Sequence, residues 1–188
     1  VDSYSSRGVK KVHNIAELQI AFKNAINISR TGTAIIEEFA TGDELSVDIY
    51  VENGVVNILS IRILDKIPEL DGFVICRGRY PAPLSMEMFN RIRDVAQKIA
   101  DAFKLFNTPM LIQMKVDGEK INVIEFCART GGGMKYRLIP IVSGFDVVNA
   151  VLDLTIGQKP YLTIKKYEGY ILDEYLYCKP GIFDYLEG

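Results

Sequence analysis

The stretch Met110-Leu-Ile-Gln-Met-Lys-Val-Asp-Gly-Glu-Lys-Ile-Asn-Val-Ile-Glu-Phe-Cys-Ala-Arg-Thr-Gly-Gly-Gly133 decides how the rest of the chain is read. Two apolar-rich runs flank Asp117-Gly118, a hairpin signal. The second run ends in Glu125, Cys127 and Arg129, and three glycines follow. A carboxylate can hold Mg²⁺, a guanidinium can grip phosphate oxygens through two N–H groups, and glycines let backbone N–H groups approach an anion. The same residues can equally form a surface ion pair where a strand ends in a turn. On these residues alone both readings stand.

With Gln113 twelve residues before Glu125, and Arg129 and the glycines after it, the stretch resembles the metal-binding hairpin of the ATP-grasp superfamily. There, an acid or glutamine on one strand and E-x-N on the next hold Mg²⁺ between ATP phosphates, and a nearby Arg assists the acyl-phosphate. The resemblance makes Gln113 and Glu125 the metal ligands and Arg129 the catalytic residue. Cys127 departs from it, standing where the family has Asn, and a thiol is a poor Mg²⁺ ligand. Side chains alternate faces along a strand. The two ligands therefore share a face only with an odd number of loop residues, such as Gly118-Glu119-Lys120, and the odd loop is the expectation.

Upstream, Glu37-Glu38-Phe39-Ala40-Thr-Gly-Asp-Glu44 resembles the family's adenine hinge. The resemblance puts the adenine amino group near Glu37 and the carbonyl of Glu38. It puts the ring nitrogen at the N–H of Ala40, past Phe39, and the ribose hydroxyls on Glu44. Ser5-Ser6-Arg7-Gly8 matches the flexible loop over the phosphates. Read as residues only, that segment is an ordinary polar loop. The motifs occur in the family's order over roughly residues 1–157.

The rest reads locally. Residues 9–12 and 34–39 are expected strands. Asn14 with Glu17 forms a capping box for a helix with the apolar stripe Ile15, Leu18, Phe22, Ala25 and Ile26. Residues 45–51 and 55–64 are strands joined through Asn53-Gly54, and Ser46, Asp48 and Tyr50 alternate with apolar neighbours as on a half-buried sheet. Residues 73–80 form another strand, whose Arg77 and Arg79 face solvent or an acidic substrate. Ser85 caps a core-facing helix carrying Met88, Ile92, Val95, Ala96, Ile99, Ala102 and Phe103. Two short helices follow, divided at Ser143-Gly144, and residues 161–188 suggest two strands of a further small sheet. The sum is α+β with a mainly antiparallel sheet and flanking helices. The resemblance divides it into a lid remnant (1–33, the lid incomplete), a main subdomain with hinge and hairpin (34–160), and the start of a C-terminal sheet (161–188).

The 188 residues are 48% hydrophobic and carry a net charge of −2, enough for a core and without the basic footprint of a nucleic-acid binder. No run of eighteen apolar residues suggests a membrane span. Three widely spaced cysteines show no metal spacing and fit a reducing cytoplasm. The implied function is an ADP-forming ligase that uses ATP and Mg²⁺ to activate a small-molecule carboxylate for attack by an amine, in a chain that could form a homodimer. Phosphorylation of bicarbonate or carbamate, as in carbamoyl-phosphate synthase, and nucleotide binding without turnover are the alternatives. The family's phosphate-binding lysines lie upstream of the residues matching Val1-Asp2, so this chain by itself is expected to be inactive.

Overall fold

A computed structural model describes residues 2, 6–67, 73–165 and 167–185. Along the chain they form α1 (Ile15–Ile28), β1 (Asp43–Glu52), β2 (Val55–Lys66), β3 (Ile75–Tyr80), α2 (Met86–Ala102), β4 (Thr108–Asp117), β5 (Lys120–Cys127), α3 (Lys135–Ser143), α4 (Val147–Thr155) and β6 (Ile171–Glu174). The strands make one sheet in the order β5-β4-β1-β2-β3-β6, every pair antiparallel.

Local chemistry sets several boundaries. Asn14 Oδ1 accepts from Glu17 N–H at 2.9 Å, and the Glu17 carboxylate accepts from His13 N–H at 2.8 Å, closing the N-terminus of α1. Ser85 Oγ accepts from Met88 N–H and caps α2. Asn53 and Gly54 both have positive φ, as a type I′ turn between β1 and β2 requires.

The sheet is covered on both sides. On one, α2 lays Ile92, Ala96 and Ala100 on Leu45, Val47, Ile49, Ile61, Ile63, Met110, Ile112 and Met114. Each large apolar side chain fully buried there contributes about 1.5–3 kcal/mol. On the other, Ile139, Phe145, Val147 and Ala150 of the α3–α4 region pack on Tyr50 and Leu59. The half-buried sheet expected from β1 is therefore corrected. Ser46, Asp48 and Tyr50 are as buried as their apolar neighbours, because α3 and α4 cover the face that alternation assigns to solvent.

Other expectations change too. Residues 9–12 and 34–39 form no strand; residues 34–39 run outside the ladder, and the sheet begins only at Asp43. The apolar stripe of α1 stays largely open, and no α1 residue is buried. On α2, Ala102 and Phe103 fall on the exposed side and Ala100 on the buried one. Beyond residue 161 the one described strand, β6, extends the main sheet beside β3 instead of starting a new one. Among the described residues no single helix is long and apolar enough to cross a membrane.

Candidate functional site

The strands β4 and β5 turn through two residues, Gly118 and Glu119, with Asp117 paired to Lys120. Gly118 has φ +57, the left-handed backbone needed at the first position of a type II′ turn. An even loop by itself would put Gln113 and Glu125 on opposite faces. The register shifts between Gln113 and Met114, leaving Ile124 as an extra residue in β5, and beyond it Gln113 stands directly opposite Glu125. The expected odd loop is thus wrong, and a β-bulge supplies the odd residue instead.

The same rung continues inward. Ser46 pairs with Gln113 on one side and with Arg62 on the other. One transverse row, Arg62–Ser46–Gln113–Glu125, therefore crosses four strands. Glu44 stands two residues along β1 from Ser46, and its Oε1 accepts from Gln113 Nε2 at 3.5 Å and pairs with Lys66 Nζ at 2.9 Å. Glu44 is buried, whereas Glu125 is exposed at the β5 edge. Arg129, just past β5, is also exposed. Its guanidinium donates to the neighbouring Thr130 carbonyl at 2.7 Å, and it forms no ion pair with Glu125. The surface-pair reading of these two residues is not what forms. Cys127 lies two residues beyond Glu125 and is half-buried; burial pushes its thiol up, which the charge of Arg129 opposes.

The residues expected to form an adenine hinge and a phosphate loop lie elsewhere. Arg7, Gly8 and Glu37 line one cleft of about 230 Å³ between the 6–10 turn, the end of α1 and the extended residues 34–37. Ser6 Oγ donates to the Phe73 carbonyl at 3.3 Å. Ser5 lies outside the described residues. Glu38 is exposed, Ala40 is half-buried, and the ring of Phe39 carries the Lys11 ammonium 3.9 Å from its centroid. That is a cation–π contact on an exposed ring.

Thr41, Gly42 and Asp43 connect this cleft to the sheet. Thr41 Oγ1 donates to Asp117 and Lys115 Nζ to the Gly42 carbonyl. Gly42 has φ +94, and a Cβ there would stand 2.1 Å from the Val116 carbonyl oxygen. No side chain fits between residue 42 and β4. Gly42→Ala is expected to destabilise the fold by about 1–3 kcal/mol, the cost of a strained backbone, and to weaken nucleotide binding in parallel. Thermal unfolding with and without MgADP checks this; an unchanged midpoint would contradict the packing.

Several polar groups carried no local signal. Lys66 is the last residue of β2, and its partner Glu44 lies on β1, 22 residues earlier in the sequence. Lys135, two residues after the last of the three glycines, is buried with its ammonium on Ser46 Oγ and Asp48. Arg62 is buried against Asp173 of β6. The arginines of β3 lie on the solvated strand face, one of the two expectations, and each is paired there: Arg77 with Glu174, and Arg79 with Asp65 through two bonds of 2.8 Å.

Among the described residues no three His, Cys, Asp or Glu side chains cluster as a metal cage. A hard divalent ion held by one or two protein oxygens and by substrate phosphates needs no such cage, and the Gln113–Glu125 rung fits that case.

The family model described as an ATP-grasp domain matches residues 1–137. A biotin carboxylase from Campylobacter jejuni, solved with β,γ-ATP according to its description, superposes with a TM-score of 0.73 at 20% identity, over 90% of this chain and 39% of that one. The biotin carboxylase domain dimer of a Hydrogenobacter thermophilus 2-oxoglutarate carboxylase, bound to MgADP, gives a TM-score of 0.74 at 16% identity, over 90% and 38%. An L-amino acid ligase from Bacillus licheniformis is 25% identical, with a TM-score of 0.55, over 65% of this chain and 31% of that one. The uncharacterized protein y4rH of Sinorhizobium fredii is 24% identical over 154 residues, 82% of this chain and 31% of that protein. The chain thus spans about a third of that relative and less than two fifths of these structures.

Proposed function

Because the chain belongs to the ATP-grasp family, we propose that it carries the nucleotide- and metal-handling part of an ADP-forming ligase, in which ATP activates a carboxylate as an acyl-phosphate that an amine then attacks. The observation that carries this reading is the bulge-set rung. Ile124 is spent as an extra residue, and the result is an amide and a carboxylate face to face beside an arginine that is not paired with that carboxylate. Phosphoryl transfer asks the protein for positioning and charge neutralisation more than for covalent help.

Each group then has a part. Residues Glu37, Glu38, Phe39 and Ala40 form the adenine hinge, with the Glu38 carbonyl and Ala40 N–H as its backbone partners. Ser6, Arg7 and Gly8, together with Ser5, would contact the phosphates. Glu44 has Oε1 engaged by Lys66 and Gln113, and its other oxygen is the one offered to ribose hydroxyls. Arg129 stabilises charge on the transferring phosphoryl group. Gln113 and Glu125 would hold Mg²⁺, which neutralises phosphate oxygens when bound. Gln113 Nε2 donates to Glu44, which leaves the Gln113 carbonyl oxygen as its ligand atom.

A second reading, a nucleotide-binding module without turnover, is favoured by one feature. Cys127 is a half-buried thiol whose ionisation burial opposes, two residues from the proposed Mg²⁺ carboxylate. The test is ADP release from MgATP by the polypeptide expressed through its whole reading frame, against a panel of amino acids, simple amines and bicarbonate. Release that depends on one carboxylate and one nucleophile supports the ligase. MgATP binding without release under any member of the panel supports the binding module.

A further inference from the structure

Beneath the site, four charges lie between the sheet and the start of α3. Lys135 is 4% exposed, and its Nζ donates to Ser46 Oγ at 2.8 Å and to Asp48 Oδ2. Arg62, also 4% exposed, pairs with Asp173 of β6. Glycines make room for both pairs. A Cβ at Gly78 would stand 2.5 Å from Asp173 Oδ1 and 2.8 Å from Arg62 Nη1, and one at Gly131 would stand 3.1 Å from Lys135 Cγ.

The four charges cancel in pairs, so the set offers a ligand no net charge. It is also a costly way to fill space, since each ion gives up its hydration and apolar side chains of the same volume fold as well or better. Asp48 Oδ1, Ser60 Oγ and Arg62 Nε are buried without a hydrogen-bond partner among the described residues, so the set is not even fully satisfied. Its other effect is registry. Lys135 is the first residue of α3 and follows Arg129 by six residues, across Thr130, the three glycines and Met134. Its partner Ser46 is the β1 member of the row that carries Gln113 and Glu125. The flexible turn between Arg129 and α3 is therefore tied back to the strand beside the proposed metal rung.

We propose that Lys135 is a positioning residue, whose buried bonds to Ser46 and Asp48 hold the glycine turn, and with it Arg129, in register with the Gln113–Glu125 rung. The consequence for phosphoryl transfer rests on the ligase reading above; the tether itself does not. Desolvation holds the Lys135 ammonium below its ordinary range, while Asp48 and Asp173 support its charge and Arg62 opposes it.

The test replaces both partners at once, K135M/D48L, so that neither is left as a lone buried ion. The double variant is expected to unfold near the wild-type temperature. Amide exchange in residues 130–137 should rise about tenfold while β1 and β4 keep their protection. In the polypeptide expressed through its whole reading frame, kcat for ADP release should fall by about 100-fold with the KM for MgATP little changed, as expected when a reacting group is misplaced by an ångström. A folded double variant with unchanged exchange in 130–137 overturns the proposal. D48N, which keeps an acceptor and removes the charge, is the second variant if the first does not fold: faster exchange confined to 130–137 supports the tether, and unchanged exchange overturns it. Wild-type protein that releases no ADP counts against the ligase reading, and the exchange result still decides the tether.

Discussion

Glu125→Gln is expected to remove the Mg²⁺-dependent part of nucleotide binding and to leave the fold intact. Glu125 is the one carboxylate in the proposed pair with Gln113. Replacing it with an amide keeps the size and one oxygen but takes away the negative charge that a hard divalent cation requires. The residue is exposed at the edge strand, so the change costs the fold little, within about 0.5 kcal/mol for a surface site. Titrating ADP with and without Mg²⁺ into both proteins separates the outcomes. The wild type should bind at least about tenfold tighter with Mg²⁺, a difference of about 1.4 kcal/mol, and the variant should show no such gain. Equal Mg²⁺ dependence in the two proteins would remove Glu125 from the site. Cys127→Asn is the companion measurement. Burial keeps the thiol protonated and a poor ligand for Mg²⁺, so the substitution should leave the Mg²⁺ gain equal or larger.

Lys135→Met alone should be among the most destabilising single changes in the chain. It leaves the Asp48 carboxyl, 2% exposed, without its partner. Removing one member of a buried pair typically costs about 3–5 kcal/mol, mainly the penalty of the charge left behind. Asp48→Leu should cost a similar amount from the other side, stranding the ammonium. The sum of the two single effects should far exceed the cost of the double variant, and chemical denaturation of all four proteins measures that difference. Additive effects would mean that the two groups do not depend on one another in solution.

Much of the framework was legible because its causes are local. Asn53-Gly54 supplies two residues able to take positive φ, and a hairpin follows. Asn14 and Ser85 cap their helices with acceptors whose partners lie three residues away. The family motifs are contiguous strings, and the family match over residues 1–137 agrees with them. The pairing of Gln113 with Glu125 was half legible. The spacing of the two residues demanded one odd residue, but nothing local told a three-residue loop from a bulge. Gly118 favours a two-residue II′ turn, and the extra residue is taken up at Ile124.

By its sequence alone this protein determined the β1–β2 turn, the starts of α1 and α2 and the string of residues that marks its family, because capping and turn geometry act over a few residues. The tertiary structure decided which faces are inside. Alternation in β1 reads as one wet face, yet α3 and α4 arrive from almost a hundred residues downstream to bury Ser46, Asp48 and Tyr50. Residues 34–39 have the composition of a strand, but a strand exists only where a partner offers a ladder, and none does there. Lys135 and Asp48 are 87 residues apart, and neither shows the other in its neighbours. A charge survives burial only beside a compensating charge, so the pair came into view only once the sheet and α3 were packed together.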